Sequence, residues 1–480
     1  MSRRWSAREL LELVLDAGSF ESWDEPIDVT GHPEHYRTQL LAAAEKAGTD
    51  ESVLTGRGLV RGRPVAVVVN EFGFLAGSIG TDAARRIESA VRRATAERLP
   101  VLASTSSGGT RMQEGTVAFV RMVEISRALM EHRAAGLAYL VHLRHPTTGG
   151  VYASWGSLGH VTVAEPGALV GFLGPKVYEA LHGEAFPEGV QSAENLAAKG
   201  VIDAVVAAEE LPGLVDLALG VLVDEPTEPR LAGRVAVTSV EELPDEQRTA
   251  WESIEVTRRA DRPGVRELLR YAGAGTVRLR GTDEGERDAA MLVALTRLDG
   301  QPCVLVGQDR ERQSESSPMG PGALREARRA MSLAEELGLP LVTVVDTPGA
   351  ELSVSAEERA IAGEIARCIA TLTTMTVPTV SVILGQGCGG GALALVPARE
   401  TVAVENAWLS PLPPEGASVI VHGDTDHAAE LAEAQHVRAR DLLATGTVGH
   451  LVPEPLDCTP EELAVGVAVE VARLIRTQRR

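Results

Sequence analysis

The chain has 480 residues, a net charge of −21 and 44 % hydrophobic residues. At roughly 150 residues per domain this predicts about three domains with a large packed core, and it excludes a disordered chain. The negative charge and an aromatic content of 3 % argue against nucleic acid as the main partner, because binding there rests on cations against phosphates and on stacked bases.

Taken in chain order, Arg3 and Arg4 are followed by Glu9 and Glu12 on a helical pattern, without the apolar core of a signal peptide. No uncharged apolar stretch approaches the ~18 residues of a membrane span, so no membrane partner is expected. A strand is predicted over 64–70, a helix over 82–97 with Asp82 as N-cap, a strand over 101–103, a helix over 113–133 and a strand over 138–143. The acidic, proline-containing stretch 224–261 reads as a linker between an N-terminal domain, 1–223, and a C-terminal domain, 262–480. The second half then predicts strands over 303–307, 341–345 and 379–384, with helices over 322–337 and 357–375. Strands alternating with helices imply βαβ units and parallel sheets. Four cysteines, at 303, 368, 388 and 458, form no CxxC pair. Neither a zinc ribbon nor a redox dithiol is expected, and a reducing cytoplasm fits.

A shift of 240 residues brings the two halves into register. Leu99-Pro100 falls on Leu339-Pro340, Gly109 on Gly349, Gly149-Gly150 on Gly389-Gly390, and Glu165 on Glu405. Each match holds the same place in the strand–loop–helix order, so the chain reads as an internal duplication of one domain.

Glycine is in excess, 48 of 480 residues, and four glycine loops fall at predicted strand ends. They are Ser107-Gly108-Gly109, Gly149-Gly150, Pro348-Gly349-Ala350 and Gly387-Cys388-Gly389-Gly390-Gly391. Ligands of α/β sheets bind at such carboxyl ends. Two loops per half could turn two backbone N–H groups onto one oxygen, which is an oxyanion hole. No GxGxxG or GxxxxGK[ST] nucleotide signature, no GxSxG with a credible histidine and no metal-ligand spacing is present. Arg111, Glu114, Glu357 and Glu358 follow the glycine turns. Glutamates suit a helix N-terminus and an arginine does not, so Arg111 is the more informative. His142, His145 and His160 read as structural histidines, and Cys388 as a small filler.

Ser107-Gly108-Gly109-Thr110-Arg111-Met112-Gln113-Glu114-Gly115 closely resembles the SGGxRMQEG signature of biotin-dependent acyl-CoA carboxyltransferases. Pro146 to Val151, Ala164 to Phe172 and Phe186 to Gln191 continue the likeness. The first half resembles the bacterial acetyl-CoA carboxylase β subunit. Asp346-Thr347-Pro348-Gly349-Ala350, Ala356 to Arg359, Gly387 to Ala394 and Pro414 to Ser418 make the second half resemble the α subunit. The whole chain is similar to the fused carboxyltransferase β/α chains of actinobacteria.

The resemblance implies two tandem crotonase-like (ββα-spiral) α/β domains. It implies transfer of carboxylate from carboxybiotin on a separate carrier to the α-carbon of an acyl-CoA, acetyl-CoA giving malonyl-CoA by default, as in fatty acid synthesis. The implied partners are a biotin carboxylase/biotin carrier subunit and further copies of the chain, as a dimer or hexamer, with the active site between an N-type and a C-type domain. Gly108, Gly109, Gly149 and Gly150 become thioester-hole candidates. Gly349, Ala350, Gly389 and Gly390 become biotin-hole candidates. Arg111, Lys176 and Gly391 become candidate coenzyme A or biotin contacts. In the family the biotin ureido nitrogen takes the proton, which agrees with the lack of a side-chain base. The chain departs from the pattern in lacking the N-terminal four-cysteine zinc ribbon. It also carries Glu351-Leu352-Ser353 where the α subunit continues Tyr-Pro-Gly. A biotin-dependent acyl-CoA decarboxylase and a degenerate scaffold subunit remain open as alternatives.

Overall fold

The structure, a computed structural model, describes residues 4–231, 248–314, 316–455 and 457–479, with the side chains of 175–177 set aside. The chain divides into two units, Met1–Val223 with Asp283–Gly285, and Asp224–Thr282 with Glu286–Arg480.

The first unit holds eight strands: β1 (Glu21–Ser22), β2 (Val53–Val60), β3 (Arg63–Asn70), β4 (Val101–Ser107), β5 (Tyr139–Thr148), β6 (Val161–Ala164), β7 (Val170–Gly171) and β8 (Ala204–Val205). They run β1-β2-β3-β4-β5-β6-β8, with β7 beside β5. The pairs from β3 onward are parallel, and β2–β3 is an antiparallel hairpin. Val65 to Val69 is buried throughout, as expected of a strand covered on both faces. The helices Thr81–Ala96 and Gly115–Ala134 connect the parallel strands β3, β4 and β5, and the first turns Ala83, Ile87, Ala90, Val91 and Ala94 inward at helical spacing. Its N-cap is Gly80, not Asp82. The side chain of Glu114 caps the end instead, accepting the Thr81 N–H at 2.6 Å.

The second unit repeats the plan with β9 (Gly273–Leu279), β10 (Met291–Leu298), β11 (Gln301–Gln308), β12 (Leu341–Thr347), β13 (Thr379–Cys388), β14 (Glu400–Val404), β15 (Trp408–Ser410) and β16 (His450–Val452). The order is β9-β10-β11-β12-β13-β14-β16, with β15 beside β13. β4 and β12, and β5 and β13, stand at the 240-residue shift at both ends. The hairpins β2–β3 and β10–β11 turn on Arg61-Gly62 and Asp299-Gly300. All four residues have positive φ (46°, 84°, 40° and 83°), as a two-residue turn matched to strand twist requires. The helix expected over 357–375 is two helices, Val354–Glu358 and Ile361–Thr374, broken at Ala360 with φ 63°.

Of the stretch expected to be a linker, 232–247 lies outside the described residues. The rest is not a free tether. Asp299 Oδ1 accepts the N–H groups of Arg230 and Leu231 at 2.7 and 2.8 Å. Ala250–Arg258 is a helix with a Thr249/Glu252 capping box. It buries Ala250 and Ile254 with Trp408, whose Nε1 donates to Thr257 Oγ1 at 2.9 Å. Among the described residues no helix is long and apolar enough to cross a membrane.

Candidate active site

In the first unit the glycine loops follow β4 and β5 and meet through their backbones. A Cβ on Gly109 would lie 3.3 Å from Gly150 N and 3.4 Å from Gly149 Cα. Gly109 has φ 104° and Gly149 φ 61°, values that glycine alone adopts readily. Most of the expected donors are spent inside the fold. Gly108 N–H bonds to Ala76 O, Gly109 N–H to Ser107 Oγ and Gly149 N–H to Phe172 O, each at 3.0 Å. These three glycines set the shape of the loops and do not supply donors, which corrects their reading as hole donors. Gly150 keeps its N–H, since it is the second residue of the helix Gly149–Tyr152 and has no acceptor among the described residues. The same holds for Thr110, whose Oγ1 lies 3.0 Å from where a Gly150 Cβ would be. Thr110 was missed. The signal was in the repeat, since the 240-residue shift places it on Ala350.

The second unit repeats this arrangement after β12 and β13. Gly349, with φ 137°, spends its N–H on Thr347 Oγ1 at 3.1 Å and is likewise no donor. Ala350, Gly389 and Gly390 have no acceptor among the described residues. A Cβ on Gly391 would lie 2.7 Å from Met319 Cε and 3.2 Å from Ala350 N, and Gly391 O accepts Gln308 Nε2 at 2.8 Å. Gly391 therefore serves close packing rather than ligand contact. Buried Gln308 ties the loops together, since its Oε1 also accepts Asp346 N–H at 3.0 Å. Asp346 Oδ1 in turn accepts Gln386 N–H at 3.0 Å. In the first unit Asn70 holds the place of Gln308, accepting Ser106 N–H at 3.4 Å, and its shorter amide reaches only Ser52 O.

Arg111 is not a ligand contact. Its side chain is 1 % exposed and forks onto Glu51, itself 2 % exposed, with Nη1 to Oε2 at 2.9 Å and Nη2 to Oε1. Nη2 also donates to Ser78 O at 2.7 Å, and the guanidinium lies over the Phe74 ring. Lys176 stands in the first turn of the helix Pro175–His182, and its side chain is outside the described set. Glu351 turns its carboxylate onto Ser353 Oγ at 2.6 Å, while Leu352 is 93 % exposed. The backbone of the loop is nonetheless conserved in form between the units. Glu351 N–H bonds to Met319 O at 2.8 Å, as Arg111 N–H bonds to Ile79 O at 2.9 Å.

None of His142, His145, His160 and Cys388 is set up as a base or nucleophile. His145 Nδ1 accepts Leu169 N–H at 3.1 Å and His160 Nδ1 accepts Tyr139 N–H at 3.0 Å. Burial pushes the Cys388 thiol up to about 12. Burial, and then Arg144, push His142 down to about 3, so it is neutral in the fold. Below its ordinary value of ~6.5 the unfolded chain takes up a proton at this site that the folded chain refuses. Stability is therefore lost as pH falls from ~6.5 toward 3, at up to ~1.4 kcal/mol per pH unit for this group. His142→Leu is expected to flatten that part of the curve, measured as urea unfolding free energy between pH 7 and 4. An unchanged slope would contradict the assignment.

The carboxyl transferase domain model matches residues 4–449. A probable biotin-dependent acyl-coenzyme A carboxylase beta3 subunit of Mycobacterium tuberculosis is 55 % identical over 478 residues, covering 98 % of this chain and 95 % of that one. The acetyl-coenzyme A carboxylase carboxyl transferase subunits beta/alpha of Saccharopolyspora erythraea is 36 % identical, covering 94 % and 81 %. Among solved structures, transcarboxylase 12S, described as a hexamer assembly, matches with a TM-score of 0.77 at 19 % identity, over 99 % of this chain and 91 % of that one. A single-chain, multi-domain long-chain acyl-CoA carboxylase matches at 0.76 and 20 %, over 98 % of this chain and 46 % of that one. These likenesses show the tandem crotonase-like fold that the family resemblance implies.

Proposed function

We propose a reaction on the premise that this chain belongs to the carboxyl transferase domain family: it moves carboxylate from biotin on a separate carrier to the α-carbon of a short acyl-CoA, acetyl-CoA foremost. A biotin-dependent acyl-CoA carboxyltransferase must stabilise negative charge on the thioester oxygen as the α-carbon loses its proton. The observation that carries the reading is the pair of unspent N–H groups at Thr110 and Gly150, on loops whose backbones touch. Such preorganised donors stabilise an enolate oxygen without reorganisation. Carboxylated biotin supplies the carboxylate when bound. Ala350 and Gly390 would hold its ureido oxygen, on two loops that approach closely where Gly391 meets Ala350. The fit is physical, since these N–H groups are unspent and a Cβ at Gly391 would crowd Ala350 N.

One further feature supports an assembly with other subunits. On the helix Gly115–Ala134, Val117, Phe119, Val120 and Val123 are each more than half exposed, the mark of a surface covered by another chain. We assign it to a second copy, in a homo-oligomer that works with a biotin-carrying subunit in the cytoplasm. The four free cysteines fit such a reducing compartment.

The acyl group is set by experiment. The purified chain, given a carboxylated biotin carrier, is assayed against acetyl-, propionyl- and longer acyl-CoAs. The expected result is the highest kcat/KM for acetyl-CoA. A preference for long chains would overturn that choice of substrate and leave the reaction standing.

A further inference from the structure

The two units carry a cavity at the same place in their sheets, with opposite charge. Leu54 and Leu292, the second residues of β2 and β10, line the two cavities, as do Asp50 and Asp288, which stand three residues before those strands. The first cavity, about 840 Å³, is lined by Glu12, Asp16, Asp24 and Asp50, with Arg8 its one cationic lining residue. The second, about 230 Å³, is lined by Arg266, Arg278, Arg280, Arg287 and Arg312. The fold thus does not require arginines at this place, and a chain of charge −21 has gathered five of them.

Three carboxylates share the second cavity, and each is engaged. Asp309 pairs with Arg266 at 2.6 Å. Asp288 accepts the N–H groups of Ala290 and Gly320 at 2.9 and 3.0 Å. Glu326 accepts those of Gly281 and Asp288 at 3.1 and 2.6 Å. Among the described residues Arg278, Arg287 and Arg312 make no salt bridge. Burial, and then Arg266 and Arg280 against the opposing pull of Asp309, hold Arg278 below the ordinary guanidinium range. Five arginines face three carboxylates here, and an anion with several oxygens relieves the repulsion left among the guanidinium groups.

We propose that this cavity binds the diphosphate of a small molecule. The guanidinium fork matches phosphate oxygens in pairs, where an ammonium offers only a point charge. Three forks that make no salt bridge among the described residues suit a ligand with more than one negative charge, and the small volume suits a phosphate chain rather than a whole nucleotide. The diphosphate comes either from a free nucleoside diphosphate or from the coenzyme A tail. The cavity also adjoins a donor loop. A Cβ on Gly320 would lie 3.2 Å from Asp288 Oδ2 and 3.0 Å from Glu351 Oε2, so the cavity wall and the residue after Ala350 flank one glycine.

Calorimetry on the full chain tests this without any turnover, so its outcome is independent of the proposed reaction. Pyrophosphate, ADP and coenzyme A are titrated in turn into wild type, Arg278→Glu/Arg312→Glu and Arg278→Lys/Arg312→Lys, with circular dichroism confirming that all three fold. Pyrophosphate and ADP are expected to bind wild type and to compete. The glutamate variant is expected to bind about tenfold or more weakly, with the lysine variant in between. Coenzyme A that displaces ADP identifies its tail as the source, and coenzyme A that leaves ADP in place identifies a free nucleotide. No heat from pyrophosphate or ADP at millimolar concentration, or equal affinities in wild type and the glutamate variant, would overturn the proposal.

Discussion

Gly150→Pro is expected to lower kcat by about 10²–10³-fold, the usual loss when one oxyanion donor is removed. Proline deletes the one free N–H at this position, and the first turn of a helix tolerates it because that N–H has no intrahelical partner. Gly150→Ala is the control. It keeps the N–H and adds a Cβ 3.0 Å from Thr110 Oγ1, a side-chain atom that can move aside. Gly390→Pro should show a loss of the same order, because Gly390 stands in the same place in the second unit, and its Cβ would meet only the end of Ile365, at 2.7 Å. Steady-state kinetics with circular dichroism on the same samples separates a lost donor from a lost fold. A folded Gly150→Pro chain with unchanged kcat would remove Gly150 from the reaction.

Arg111→Met acts by a different route, and the expected effect is on stability. It leaves the Glu51 carboxylate 2 % exposed and without its guanidinium. Breaking one partner of a buried pair costs about 3–5 kcal/mol, a large part of a typical domain's stability. The loss is read from urea unfolding at pH 7. Adding Glu51→Met should return part of it, because the stranded charge is removed as well. If Arg111 instead held coenzyme A phosphates, the single variant would keep its stability and raise KM for the acyl-CoA.

The duplication was legible because the strands that carry the loops cannot change length. β4 and β12 are buried at every position, and an inserted residue would turn their apolar side chains to the wrong face. The glycine loops were legible for a related reason: at Gly109 and Gly349 the backbone needs positive φ. Which loop residue keeps its N–H was not legible. That depends on acceptors distant in sequence, such as Phe172 O for Gly149 and Ala76 O for Gly108. Arg111 lies beside a glycine turn and looked available, yet Glu51, sixty residues away, takes its charge. The helix Ala250–Arg258 was passed over because acidic, polar surroundings outweighed a Thr249/Glu252 capping box. The antiparallel strands β2 and β10 went unseen, although Asp299-Gly300 is a hairpin signal in its own right.

The proposed reaction rests on one transfer. Purified chain is mixed with a biotin carrier carrying isotopically labelled carboxylate and with acetyl-CoA, and the acid-stable label in the acyl-CoA is counted over time. Label is expected to pass into malonyl-CoA with wild type and to fall about 10²–10³-fold with Gly150→Pro. Label that is released only as carbon dioxide, at a rate the chain does not change, would contradict it.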